Sequence, residues 1–263
     1  MSIHTISQRG QIASDTILRV DMEISMEAQM NAYHPEDNPD GAFPLNIAEN
    51  RLCWQELKSK LQSISTENEI PDWVMGYTSP LGDPAWAVSI ADFYKRYLLE
   101  ENDVDPNHLA CSPGATGIIE MTSFILADEG DVAAFPAPCY PVYRQDMGNI
   151  SAVERHDIIT HENISELKDG SPLNTSHLDQ AKLDIQASGR NFKLLVITTP
   201  DNPTGQIYGQ QQLEDIVSWC YKHKVHLIIN EIYGLSRINI DHHIKVTTYI
   251  IGIPSLKTSG YPD

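Results

Sequence analysis

The chain has 263 residues, a formal charge of −18 and 41% hydrophobic content. That length suits one large domain or two small ones with a sizeable core. The negative charge repels phosphodiester backbones and anionic headgroups, so neither a nucleic-acid nor a membrane-surface partner is expected.

No apolar run approaches the ~20 residues that span a bilayer, and Met1-Ser2-Ile3-His4-Thr5 lacks the basic-then-apolar pattern of a signal peptide. Cys53, Cys111, Cys139 and Cys220 show no paired spacing, which suits free thiols in a reducing compartment. A cytoplasmic location is the expectation.

In chain order, residues 1 to about 40 read as irregular, with one short helix near Asp21 to Asn31 and a dense turn from His34 to Gly41. Leu45 to Asn50 reads as extended and leads into a helix holding Trp54, Leu57 and Leu61. Asp83-Pro84 is a helix start, a capping carboxylate before a proline. Trp86, Ile90, Phe93 and Tyr97 then recur at helical spacing, and this face is expected to pack on a core.

Leu109-Ala110-Cys111 reads as a short strand that breaks at Ser112-Pro113-Gly114-Ala115-Thr116-Gly117 and feeds a helix. A turn opening a helix leaves backbone N–H groups free, which favours an anion, although an ordinary tight turn has the same signature. Val132 to Phe135 reads as a strand ending in Pro138-Cys139-Tyr140-Pro141, and residues 156–190 as a polar stretch with one helix near Leu178 to Ala187.

The clearest unit follows. Leu194 to Ile197 is an apolar run ending in Asn202-Pro203-Thr204-Gly205. Leu213, Ile216, Val217 and Cys220 mark a helix face, and Val225 to Ile229 is a second run ending in Asn230-Glu231-Ile232-Tyr233. This is a strand–helix–strand unit with polar groups at the strand ends, where open α/β sheets bind ligands. Val246 to Ile253 could add one more strand. The expected fold class is α/β, a mostly parallel sheet covered by helices, preceded by an N-terminal arm. His223, His226, His242 and His243 lack the cysteines or spaced carboxylates of a metal site.

The ordered motifs Gly114-Ala115-Thr116-Gly117, Pro138-Cys139-Tyr140-Pro141, Asn202-Pro203-Thr204-Gly205 and Asn230-Glu231-Ile232-Tyr233 resemble those of the pyridoxal-phosphate-dependent aspartate aminotransferase superfamily. Asn38-Pro39-Asp40-Gly41 with Leu45-Asn46-Ile47-Ala48-Glu49-Asn50 is similar to its 1-aminocyclopropane-1-carboxylate synthase group. The resemblance implies pyridoxal 5′-phosphate as cofactor, with Ala115 and Thr116 at its phosphate and Tyr140 stacked on its ring. It implies further that Asn202 and Tyr233 meet the phenolic oxygen and that Asn230 lies at the ring nitrogen. Tyr77 would reach the phosphate of a neighbouring subunit in a homodimer, and Glu49 would face the substrate.

Two departures qualify what the resemblance implies. The family has an aspartate where this chain has Asn230; an amide can accept a hydrogen bond but carries no charge to hold a proton on the ring, so a large loss of catalysis is expected. The family's Schiff-base lysine lies in a Ser-Lys context. Lys257, with Gly260 and Pro262 at the family's offsets but Leu256 before it, is either that lysine or one outside the pattern. Residues 1–60 are expected to form the arm and a segment joining the small domain. Residues 61–263 would form an incomplete large domain, with the C-terminal small domain missing. The implied activity is S-adenosylmethionine γ-elimination or amino-group transfer on a small amino-acid substrate. The alternative is a truncated, catalytically impaired remnant that keeps the fold.

Overall fold

A computed structural model of the chain describes residues 6–15, 22–46, 49–50, 52–80, 82–99, 103–161 and 172–236. Two compact units divide it: Met1–Ala13 with Pro84–Asp263, and Ser14–Asp83. Helix α1 (Gln8–Asp15) forms where the sequence reads as irregular; it has no buried residue, so no apolar periodicity announces it.

The smaller unit holds α2 (Met22–Met30), α3 (Trp54–Glu67) and a 3-10 turn at Asp72–Met75. Between α2 and α3 the turn expected from His34 to Gly41 closes on itself. The backbone pairs His34 with Asn38 in both directions at 3.0 Å, and the Asn38 amide donates to Asn31 Oδ1 and the Ala32 carbonyl at 2.9 Å each. Gly41 is required here, because a Cβ would run into the Ala32 carbonyl and the Tyr33 backbone.

The larger unit is organised by a four-stranded, all-parallel sheet. Its strands are β1 (Val132–Ala137), β2 (Glu154–Ile159), β3 (Phe192–Thr198) and β4 (His226–Asn230), in the order β2-β1-β3-β4. Three helices make the crossovers: α6 (Tyr143–Gly148), α7 (Thr175–Ala187) and α8 (Gln210–His223). Ahead of the sheet come α4 (Pro84–Tyr97) and α5 (Gly114–Leu126). The chain leaves β1 in one direction to form β2, then crosses back to form β3 and β4. The reversal falls between β1 and β3, and a crevice opens at such a point beyond the strands' carboxyl ends.

Both faces of the sheet are buried, which explains the near-continuous apolar runs. Leu195, Ile197, Leu227 and Ile229 pack on one face with Leu178, Ile185, Ile216 and Trp219 of α7 and α8. Leu194, Val196 and Ile228 face the other way, against Ile119 of α5 and Tyr143 and Met147 of α6. Chain ends are fixed locally. Asn174 caps α7, accepting from the Ser176 and His177 amides at 3.0 and 3.3 Å. Lys224, left-handed at φ 57°, stops α8 before β4.

Three expectations need correction. Leu109 to Cys111 is not a strand; it is irregular and lines a cavity of about 540 Å³ beside β4 together with Trp86 and Ile90. The face of α4 is not plain core: Phe93 and Tyr97 are exposed and pack on each other at 4.9 Å, and only Ala91 of that helix is buried. Residues 154–159, within and just before a stretch read as polar and without a strand, form β2. The expected strand at Val246 to Ile253 lies outside the described residues.

Candidate functional site

At the carboxyl ends of the strands, on the α5/α6 face, lies a cavity of about 200 Å³. Ala115, Thr116, Tyr140, Asn202, Asn230 and Tyr233 all line it. They come from four separate stretches of sequence, and each is placed by a distinct local device.

Gly114 opens α5 at φ +79°, a conformation that favours glycine, and no side chain caps that helix start. The first-turn amides beside Ala115 and Thr116 are therefore available to an anion at the positive end of the helix. Gly117 is confined in turn, since a Cβ there would meet the Ser112 hydroxyl.

Tyr140 sits on the loop after β1, and Arg155 of β2 ties that loop down. Its guanidinium donates to the Pro141 carbonyl at 3.2 Å and to Cys139 Sγ at 3.1 Å, and is itself held by Asp157 at 2.7 Å. The Tyr140 ring meets Tyr143 edge-on at 5.5 Å, and Tyr143 stacks on Phe135 at 4.9 Å. Burial pushes the Cys139 thiol up to about 12, the nearby Arg155 charge opposing this only in part, so Cys139 stays protonated.

Asn202 is aimed by its turn. Asp201 accepts from the Thr204 hydroxyl at 2.6 Å and its carbonyl accepts from the Gly205 amide at 2.9 Å, Gly205 being at φ +70°. Burial raises the Asp201 carboxyl, its hydrogen bonds to Thr204 and Asn202 acting the other way. The Asn202 amide donates to the Tyr233 hydroxyl at 3.1 Å, so these two expected partners already touch.

Asn230 closes β4. Parallel pairing sets Thr198 of β3 opposite it, and Tyr143 bridges the pair. Asn230 Nδ2 donates to the Tyr143 hydroxyl at 2.7 Å, and that hydroxyl lies 2.9 Å from Thr198 Oγ1. Burial holds the Tyr143 phenol above its ordinary range, against those two hydrogen bonds.

Tyr143, Asp146, Thr198 and Arg155 escaped the reading of the sequence. Tyr143 was within reach of it, lying three residues after Tyr140, at the start of the helix that the Tyr140 loop leads into. Asp146 is 5% exposed, lines the cavity and hydrogen-bonds Thr116, while its Oδ2 has no hydrogen-bond partner among the described residues. Burial raises its carboxyl, the Thr116 bond opposing and the Glu120 charge adding to the rise. Tyr77 and Glu49 belong to the smaller unit and are exposed there. Lys257 lies outside the described residues.

The family model for aminotransferase class I and II matches residues 44–239, and the chain belongs to that pyridoxal-phosphate-dependent family. Within it the chain is similar to a 1-aminocyclopropane-1-carboxylate synthase 1 of Prunus mume, 30% identical over 78% of this chain and 42% of the relative. A Mus musculus protein named "Probable inactive 1-aminocyclopropane-1-carboxylate synthase-like protein 2" is 27% identical over 79% of this chain and 36% of its own length. The chain thus spans less than half the length of these curated relatives. An archaeal alanine:glyoxylate aminotransferase shares the fold at TM-score 0.63 and 18% identity, over 85% of this chain and 51% of that one. A Mycobacterium tuberculosis aminotransferase does so at TM-score 0.59 and 20% identity, over 88% and 52%.

Proposed function

We propose that this chain binds pyridoxal 5′-phosphate in the cavity at the sheet's reversal point and serves amino-acid metabolism. One observation carries the reading: six residues from four separated motifs line one cavity of about 200 Å³. Its donors suit the group. Free helix amides with Thr116 would hold the phosphate, Tyr140 would cover a ring face, and Asn202 with Tyr233 would donate to the phenolic oxygen. Asp146 is the one ill-suited neighbour, and burial raises its carboxyl above the ordinary value.

When bound, the cofactor supplies an electron sink for charge developing at the substrate's α-carbon. The chain's own residues orient and enclose it. Glu49 would face the substrate, Tyr77 would serve the neighbouring subunit of a homodimer, and Lys257 would provide the anchoring amine. The similarity to 1-aminocyclopropane-1-carboxylate synthases supports S-adenosylmethionine γ-elimination as the reaction, with amino-group transfer as the nearest alternative. Asn230 favours a second reading, a chain that binds the cofactor but turns over slowly or not at all.

Spectrophotometric titration of the purified chain with pyridoxal phosphate tests the first step. A saturable absorbance change is expected, weakened roughly tenfold by Asn202→Ala or Tyr233→Phe, the scale of one hydrogen bond lost at a polar site. Borohydride reduction and peptide mapping would then label Lys257, and turnover of S-adenosylmethionine separates the two readings. No saturable change with the unaltered chain overturns both.

A further inference from the structure

The side chain of Asn230 is held by two groups that fix which way its amide faces. Its Oδ1 accepts the Ile232 backbone N–H at 3.1 Å, and its Nδ2 donates to the Tyr143 hydroxyl at 2.7 Å. A backbone N–H can only donate, so the oxygen must face Ile232 and the nitrogen must face Tyr143 and the cavity. Tyr143 is 1% exposed, and its ring is locked against Phe135, so the phenol cannot swing away. Its oxygen, 2.9 Å from Thr198 Oγ1, completes a chain of amide, phenol and alcohol in which every member is neutral.

Among the described residues no acid hydrogen-bonds Asn230, Tyr143 or Thr198. Asp146 is the one acid among them that lines the cavity, and it is bonded to Thr116. Glu231 lines the adjoining cavity beside β4 rather than this one, and Asp201 is occupied by its own turn. Each amide atom of Asn230 keeps one hydrogen-bonding position beyond these bonds. Because the Nδ2 side is the one turned toward the cavity-lining Tyr143, Asn230 presents its second Nδ2 hydrogen there, a donor. The sequence alone suggested an acceptor; the Ile232 and Tyr143 bonds reverse that.

We propose that Asn230, positioned by Tyr143, donates a hydrogen bond to an unprotonated ring nitrogen, so that the cofactor sits in a neutral, donor-lined floor. This inference rests on the cofactor reading above. An unprotonated ring withdraws electrons less strongly, so the floor is built for retention and slow chemistry rather than rapid carbanion formation. Tyr143 acts here as a positioning residue.

The test is nitrogen NMR of the full chain loaded with pyridoxal phosphate labelled with ¹⁵N in the ring. The expected resonance lies at the unprotonated-pyridine position and does not titrate while the protein is folded. Asn230→Asp is expected to move it to the protonated position. In Tyr143→Phe the amide loses one of its two anchors. The cofactor should bind roughly 2- to 10-fold more weakly, the scale of one hydrogen bond, and the resonance should become pH-dependent. A merely structural Tyr143 would change thermal stability and leave the resonance in place, which overturns its positioning role. A protonated nitrogen in the unaltered chain overturns the proposal even if Asn230→Asp fails to fold. A chain with no bound resonance at all removes the cofactor reading and this inference together.

Discussion

Asp146 shows how one buried side chain can set the electrostatics of the proposed anion site. Its folded-state carboxyl is raised above the ordinary 3.8, chiefly by burial, so the folded chain holds that proton more tightly than the unfolded one. The stabilisation this provides is complete below pH 3.8 and is lost as pH rises through the folded value; above that, the charged form costs stability. Asp146→Asn is therefore expected to melt higher at neutral pH, with the advantage shrinking as pH falls toward about 4. Thermal melts across that range check it. The same variant should bind inorganic phosphate more tightly above the pH at which the folded carboxyl ionises, because a group that repels the anion once charged is gone from beside Thr116. None of this was legible in the sequence, where Asp146 is one acid among 36 acidic residues and only its burial singles it out. Tyr140, Asn202 and Tyr233 were legible because they stand in short motifs whose order survives without a structure.

At the scale of elements, legibility followed burial. The runs at Leu194 to Ile197 and Leu227 to Ile229 are covered on both faces, so their apolar character is continuous and unmistakable. Strand β2 reads Glu-Arg-His-Asp-Ile-Ile, and only Ile158 of it is buried; it lies at the sheet's edge, pairing with β1 alone among the described residues. Charge at an edge protects against unwanted pairing and hides the strand from a reader of hydropathy. Leu109 to Cys111 misleads in the opposite sense, being apolar because it lines a cavity. Helix α7 begins three residues earlier than its apolar positions suggest because Asn174 caps it, with His177 Nδ1 accepting the Asn174 amide in return at 3.2 Å. Asn174→Ala should lower stability by about 1 kcal/mol in urea denaturation, without altering the cavity.

For the larger unit as a whole, the order β2-β1-β3-β4 matters more than any one strand. It brings the loop after β1 beside the turn after β3, and so sets Tyr140 near Asn202 although 62 positions separate them in the chain. Alternation along a sequence reveals strands but not their neighbours, so the reversal had to come from the resemblance or from the structure. The clamp that Arg155 places on the Tyr140 loop depends on it too, because β2 must lie beside β1 to reach Pro141 and Cys139.

The cysteines turn this architecture into a built-in reporter. Cys53 and Cys111 are exposed, whereas burial pushes Cys139 and Cys220 up to about 12 on opposite faces of the sheet. In the folded chain near neutral pH a thiol reagent should modify the exposed Cys53 and Cys111 first and leave the other two almost untouched. Pulsed alkylation followed by mass spectrometry would then time the opening of each face separately. Retarded labelling of Cys139 with pyridoxal phosphate present, and an unchanged rate at Cys220, would show ligand energy stored on one side of the sheet, making the thiols a two-channel gauge of how binding is spread through the fold.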